Sequence, residues 1–91
     1  MQVTWDPAKA AENLRKHGVH FREAEAVLRD PLALTREDFR HDEPRFVTLG
    51  ATQTGMVLVV VYAYLGDEDI RLISARAASR TERRRYVDEP R

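Results

Sequence analysis

Met56-Val-Leu-Val-Val-Val-Tyr-Ala-Tyr-Leu65 is apolar at odd and even positions alike. A strand with one face in water alternates apolar and polar side chains. A run without that alternation predicts a central strand covered on both faces, with helices packed on one side. Outward from it, Thr52-Gln-Thr-Gly55 leads back to Arg45-Phe-Val-Thr-Leu-Gly50, and Gly66-Asp-Glu-Asp69 leads on to residues Ile70 to Ala75. Glycine-bearing turns of this length between β-prone runs are the punctuation of a meander, so three antiparallel strands are expected. Leu32-Ala-Leu-Thr35 is a candidate short strand, Val3 to Trp5 is another short β-prone run, and Arg36 to Pro44, with His41, is expected as a polar loop.

Helical signals flank this sheet. Asp6-Pro7 offers a capping carboxylate followed by proline at the first helical position, where a missing N–H costs nothing. The helix it starts should run to about His17, because Arg15 and Lys16 suit the negative end of the dipole and Gly18 can adopt the left-handed cap. Phe21, Ala24, Val27 and Leu28 then recur at spacings of three and four, a second helix that stops before Asp30-Pro31. Ser79-Arg-Thr-Glu82 has the form of a capping box, which opens a last helix from Arg80 to about Val87. The fold class expected is α+β: one small antiparallel sheet, two N-terminal helices packed on it and a short C-terminal helix, all in a single domain spanning 1–91. The first two helices resemble a helix-turn-helix only loosely, since the second carries Glu23 and Glu25 where a groove-reading helix would be basic.

The 91 residues, 43% hydrophobic and 33% charged, suit a domain with a thin core. Without cysteine neither a disulfide framework nor a thiolate zinc site is available, and a reducing cytoplasm is the expected setting. The N-terminus has no basic or apolar leader pattern, and the longest apolar run is too short to span a bilayer, so neither secretion nor a membrane role is expected. Fifteen Lys and Arg balance fifteen Asp and Glu, which argues against a strong nonspecific polyanion binder. The balance is global, however, and the charges are unevenly placed. Ile73-Ser-Ala-Arg-Ala-Ala-Ser-Arg-Thr-Glu-Arg-Arg-Arg-Tyr86 carries five arginines beside one carboxylate and one phenol. Guanidinium groups are planar, permanently charged and able to hold two phosphate oxygens at once, so the expected partner is RNA.

Trp5-Asp-Pro7, Lys16-His-Gly-Val19 with Phe21, Asp30-Pro31, Arg45-Phe46, and Ile73-Ser-Ala-Arg76 with Glu82 and Tyr86 together resemble the BrnT-type toxins of bacterial type II toxin-antitoxin systems. The resemblance covers nearly the whole chain in order. It implies a RelE-like fold, ribonuclease activity that arrests translation, and neutralisation by a BrnA-type antitoxin that also binds DNA in the complex. His20 stands where members often have a capping serine, and Pro44 interrupts the usual acidic lead into Arg45-Phe46.

Metal-free RNA cleavage by the ribose 2′-hydroxyl requires a proton acceptor, cations for the phosphoryl oxygens and a donor for the leaving oxygen. His17, His20 and His41 are scattered without paired ligand spacing, so no metal and no cofactor is expected. Arg76, which ends a strand with Ser74 and Leu72 as expected same-face neighbours, is the first candidate for transition-state stabilisation, and Arg45 at the mouth of another strand is the second. A salt bridge fixing strand to helix is the competing structural account of Arg76. Glu82 and Tyr86, four apart on one helical side, are further catalytic candidates, although a capping role for Glu82 and core packing for Tyr86 are the favoured accounts. Lys16 and His17 can hold phosphate and move a proton, or simply cap their helix. Arg71, Arg80, Arg83 and Arg84 are candidates for RNA backbone contact. The rival from another class is a noncatalytic toxin-fold module that acts as the antitoxin's partner in a repressor complex. A small DNA-binding regulator ranks below both.

Overall fold

In the computed structural model, residues 1–90 are described, and they form β1 (Val3–Thr4), α1 (Pro7–His17), α2 (Phe21–Val27), β2 (Leu34–Asp38), β3 (Arg45–Ala51), β4 (Val57–Leu65), β5 (Asp69–Ala77) and α3 (Arg80–Asp88). The sheet has five strands in the order β1-β5-β4-β3-β2, and the apolar run that forms β4 lies at its centre. β2 to β5 are an antiparallel meander, comprising the three strands that the turn signals predict, β3 to β5, and β2 beside β3 at the edge.

The expectation of an antiparallel sheet needs correction at one edge. β1 pairs parallel to β5, with Val3 opposite Ile70 and Thr4 opposite Arg71, so the sheet is mixed. A hairpin turn forces antiparallel pairing, but Asp6-Pro7 sends the chain from β1 straight into a helix, and its partner strand comes from the other end of the sequence. The loop expected over residues 36–44 is also shorter than predicted. Arg36, Glu37 and Asp38 pair with Val47, Phe46 and Arg45, while Leu32 and Ala33 lie before the strand. An edge strand tolerates charged residues, because one row of its backbone groups faces solvent and charge there discourages pairing with other chains.

Alternate residues of β4 define two faces. Leu58, Val60 and Tyr62 join Val19, Phe21, Ala24 and Val27 in the main core, so α1 and α2 cover this face. Val59 points the other way, into a smaller cluster with Leu49 and Ala78 against which Val47, Leu34 and Tyr86 pack. α3 therefore lies on the second face, and it contributes no fully buried residue of its own.

α1 begins and ends as its sequence dictates. The Asp6 carboxylate accepts from the Ala8 N–H at 2.9 Å, and Gly18, at φ 71°, donates to the Leu14 carbonyl. Between them sits Asn13, only 5% exposed. Its side-chain amide donates to the carbonyls of Val19 and Ala75 and accepts from the Ala75 N–H, at 2.9–3.0 Å. β1 pairs with β5 only at Ile70 and Arg71, so Asn13 supplies to Ala75 the donor and acceptor that a longer β1 would have supplied.

Candidate nucleic-acid interface

The face of the sheet away from α1 and α2 is open except where α3 lies across it. A groove of about 250 Å³ runs there, with Val47, Val59 and Val61 as its floor. Arg36 and Arg40 stand on the β2 side, and Arg76 and Arg85 on the side of β5 and α3. An apolar floor between guanidinium walls can take bases on one and phosphates on the other.

Arg76 reaches this face through a β-bulge. Val61 pairs with Ser74 but Tyr62 pairs with Leu72, so Ile73 is an extra residue in β5. The bulge reverses the side-chain alternation: Leu72 is buried in the helix-covered core, whereas Ser74 and Arg76 line the groove. Ser74 is thus a same-face neighbour of Arg76 as expected, and Leu72 is not. Two residues apart implies one face only where the pleat is unbroken.

The capping box at the start of α3 then orients Arg76. Ser79 Oγ accepts from the Glu82 N–H, and Glu82 Oε1 accepts from the Ser79 N–H at 2.8 Å. The same carboxylate receives both terminal nitrogens of Arg76, at 2.8 and 3.0 Å. The bidentate Arg76 guanidinium, with help from Ser79, lowers the Glu82 carboxyl from its ordinary 4.5 to about 2, and raises Arg76 in turn. At neutral pH Glu82 is an anion with its oxygens engaged, a state suited to holding Arg76 rather than to delivering a proton. On the far wall the Arg40 guanidinium binds the buried Asp38 through Oδ1 at 2.8 Å and Oδ2 at 2.9 Å and holds its carboxyl well below the usual range.

The structure distributes the sequence candidates among several places. Arg76 and Glu82 are joined directly. Tyr86 is half-buried, and its hydroxyl donates to Asp30 rather than to the groove. Asp30 also accepts from the N–H groups of Leu32 and Ala51, so it ties α3 to the turn before β2 and to the end of β3. Lys16 and His17 are exposed at the end of α1. The chain leaves β1 beside Arg71 and meets β5 again at Ala75 through Asn13, so α1 advances along β5 in the strand's own direction. Ala75 faces the helix-covered core, whereas Arg76 lines the groove on the opposite face, and neither Lys16 nor His17 lines that groove. Arg45 and Arg71 occupy the open face near its other end, both beside Glu43. Of the α3 arginines, Arg83 donates to the Ala78 carbonyl, and Arg80 and Arg84 are exposed.

Sequence reasoning missed Arg36, Arg40 and Arg85 as groove residues, Glu43 as the partner of Arg45 and Arg71, and Asp30 as the acceptor of the Tyr86 hydroxyl. Alternation through Leu34, Thr35 and Arg36 was the available signal for the first. Asp30-Pro31 was legible as a helix stop and a family motif, but the bonds of Asp30 to Ala51 and Tyr86 were not, since those partners lie 21 and 56 residues away. Among the described residues, no group of three or more His, Asp or Glu side chains is gathered as a metal site, and no helix is long and apolar enough to cross a membrane.

Fold and site together define a small α+β protein with one sheet face buried under two helices and the other left open and lined with arginine. Its family can be named. The chain belongs to the BrnT family, since residues 5–82 match the ribonuclease toxin, BrnT, of type II toxin-antitoxin systems. The match takes in Lys16, His17, Arg45, Arg71, Arg76, Arg80 and Glu82 and ends before Arg83, Arg84 and Tyr86. The structure is similar to the crystal structure of the Brucella abortus ribonuclease toxin, BrnT, with a TM-score of 0.67 and 26% identity over 88% of this chain and 99% of that one. No curated protein sequence matches the chain.

Proposed function

We propose that this protein is an endoribonuclease toxin that cleaves RNA without a metal ion, arrests translation in the cytoplasm and is neutralised by a BrnA-type antitoxin, whose DNA-binding part carries the complex to DNA. We read the fold as RelE-like. The observation that carries the activity is Arg76, held by both oxygens of Glu82 at the rim of an arginine-walled groove.

In the reaction the 2′-hydroxyl oxygen attacks phosphorus, its proton passes to a base, the bond to the 5′-oxygen breaks and that oxygen takes up a proton. The products are a 2′,3′-cyclic phosphate and a 5′-hydroxyl. Negative charge builds on the phosphoryl oxygens, and Arg76, already oriented, meets it without reorganising. Glu82 positions Arg76. His17 and Lys16, exposed at the end of α1, are the candidates for moving the proton and neutralising the phosphate. Arg45 and Arg71 bind the strand further along the face, with Arg80, Arg83 and Arg84 as outer backbone contacts. Tyr86 supports α3 through Asp30.

The test is incubation of the purified, antitoxin-free protein with total RNA in EDTA, beside folded Arg76→Gln and Lys16→Ala variants. Wild type is expected to leave 2′,3′-cyclic phosphate ends, with Arg76→Gln slower by about 10²–10³-fold, as for loss of one oriented charge stabiliser. Intact RNA both in this assay and in translating extract would leave the noncatalytic antitoxin-partner reading instead.

A further inference from the structure

Away from Arg76, the open face carries a second pair of arginines. Phe46 pairs with Tyr62, so Arg45 stands one place further along, level with Ala63, which in turn pairs with Arg71. The two arginine backbones are thus two strand spacings apart, about 10 Å, with only the small Ala63 side chain between them. Long side chains rooted at that separation can converge on a single anion.

An anion is already there. Glu43, from the loop between β2 and β3, places Oε1 at 2.6 Å from Arg71 Nη2 and at 3.8 Å from Arg45 Nε. One carboxylate oxygen is shared by two guanidinium groups, as a phosphate oxygen would be. The fit is incomplete. Nε of Arg45 and Nε of Arg71 are both shielded from solvent, and neither has a hydrogen-bond acceptor. A planar guanidinium fork presents donors in pairs, and a tetrahedral phosphate has enough oxygens to engage both forks where a single carboxylate does not. The Glu43 side chain is 46% exposed and that of Arg71 41%, so their ion pair is of the weakly held, solvent-screened kind that a better ligand displaces.

From this we infer that Arg45 and Arg71 form a second phosphate subsite for the RNA strand and that Glu43 occupies it in the RNA-free protein as an internal competitor. The inference rests on the ribonuclease reading for its ligand. Arg71 and Arg76 pair with Ala63 and Val59, four β4 positions apart. At ~3.3 Å per position that is about 13 Å, so the two sites take different phosphates of one strand. Strand entry then requires Glu43 to swing away, which its position in an exposed loop permits.

The experiment is fluorescence anisotropy of a labelled, mixed-sequence 2′-O-methyl oligoribonucleotide, which cannot be cleaved and so reads binding alone. Glu43→Gln is expected to tighten binding by roughly three- to fivefold, and Arg71→Gln or Arg45→Gln to weaken it at least as much. Glu12→Gln, the same charge change on the exposed side of α1, controls for net charge and should leave binding unchanged. In the double variant Glu43→Gln/Arg71→Gln the gain from removing Glu43 should vanish, and thermal melts establish that every variant is folded. Unchanged or weaker binding by Glu43→Gln, or a gain that survives loss of Arg71, would overturn the subsite while leaving the ribonuclease reading intact. Failure of the wild type to bind the oligonucleotide would also overturn the subsite, and the cleavage assays on total RNA and translating extract decide the ribonuclease reading separately.

Discussion

At the scale of single residues, the side chains that matter most are those with several partners at once. Asn13 makes three buried hydrogen bonds, two of them to one residue of β5. Replacing it with alanine leaves the Ala75 N–H and the two carbonyls without partners, so Asn13→Ala should cost about 2–4 kcal/mol, read as a lower urea midpoint with unchanged slope. Asn13→Asp should also destabilise, because a carboxylate cannot donate to two carbonyls. Glu82 yields a pH prediction. Its carboxyl is lowered from 4.5 to about 2, chiefly by Arg76. A lowered pKa contributes stability that is complete above the unfolded value, so this contribution holds above pH 4.5, declines as the pH falls and is gone below about 2. The melting temperature of Glu82→Gln should therefore lie below that of wild type at pH 6, and the two should converge as the pH approaches 2. Glu82 was legible through the capping box, a local pattern, and Arg76 through its place at the end of a strand and in the family motif. Their bidentate union was not, since it depends on where β5 ends relative to α3.

At the scale of elements, the caps were readable and the faces were only partly so. Asp6-Pro7, Gly18 and Ser79 act where their chemistry places them. The bulge at Ile73 was invisible, because it is a property of the pairing between β4 and β5 and not of either strand alone. It nevertheless decides that Arg76 stands in the groove while Leu72 enters the core. α3 offers the clearest test at this scale. It has no fully buried residue and meets the rest of the molecule mainly through Tyr86 and the Arg76–Glu82 pair, so its own cap should govern its stability. Ser79→Ala should cost about 1 kcal/mol, concentrated in α3. Hydrogen exchange should accelerate for the α3 amides and stay unchanged in β3 and β4, and cleavage should fall more than global stability does. Uniformly faster exchange would show that α3 is not an independent unit.

At the scale of the whole molecule, a net charge of zero conceals a strongly asymmetric surface. Arg36, Arg40, Arg45, Arg71, Arg76 and Arg85 all belong to the open face or its rim. Affinity for an uncleavable RNA should therefore fall linearly in a double-logarithmic plot against salt, with a slope of about −0.7 for each phosphate held. Arg76→Gln and Arg71→Gln should each flatten that slope by about one contact. A salt-independent affinity would show that the arginines pair within the protein and do not hold the strand. The same surface frames the antitoxin prediction. A partner whose acidic segment covers the open face should compete with RNA, and the purified complex should neither bind nor cleave until the antitoxin is removed.

What the sequence determined by itself was whatever depends on neighbours along the chain. The central strand, the meander turns, the three helices, the caps of the first and last of them and the clustering of arginine near the C-terminus follow from periodicity and side-chain chemistry over a few residues. The family resemblance follows from motifs that stay in order. Tertiary structure decided the parallel seating of β1 on β5, the extension of β2 into a charged segment, the reversal of faces at Ile73 and the closing of the sheet edge by Asn13. It also decided which arginines share a surface, gathering Arg36 and Arg40 with Arg76 and setting Arg45 and Arg71 around Glu43. These outcomes depend on hydrogen bonds and charges between residues far apart in sequence, and a backbone donor or a guanidinium finds its partner only when the sheet assembles.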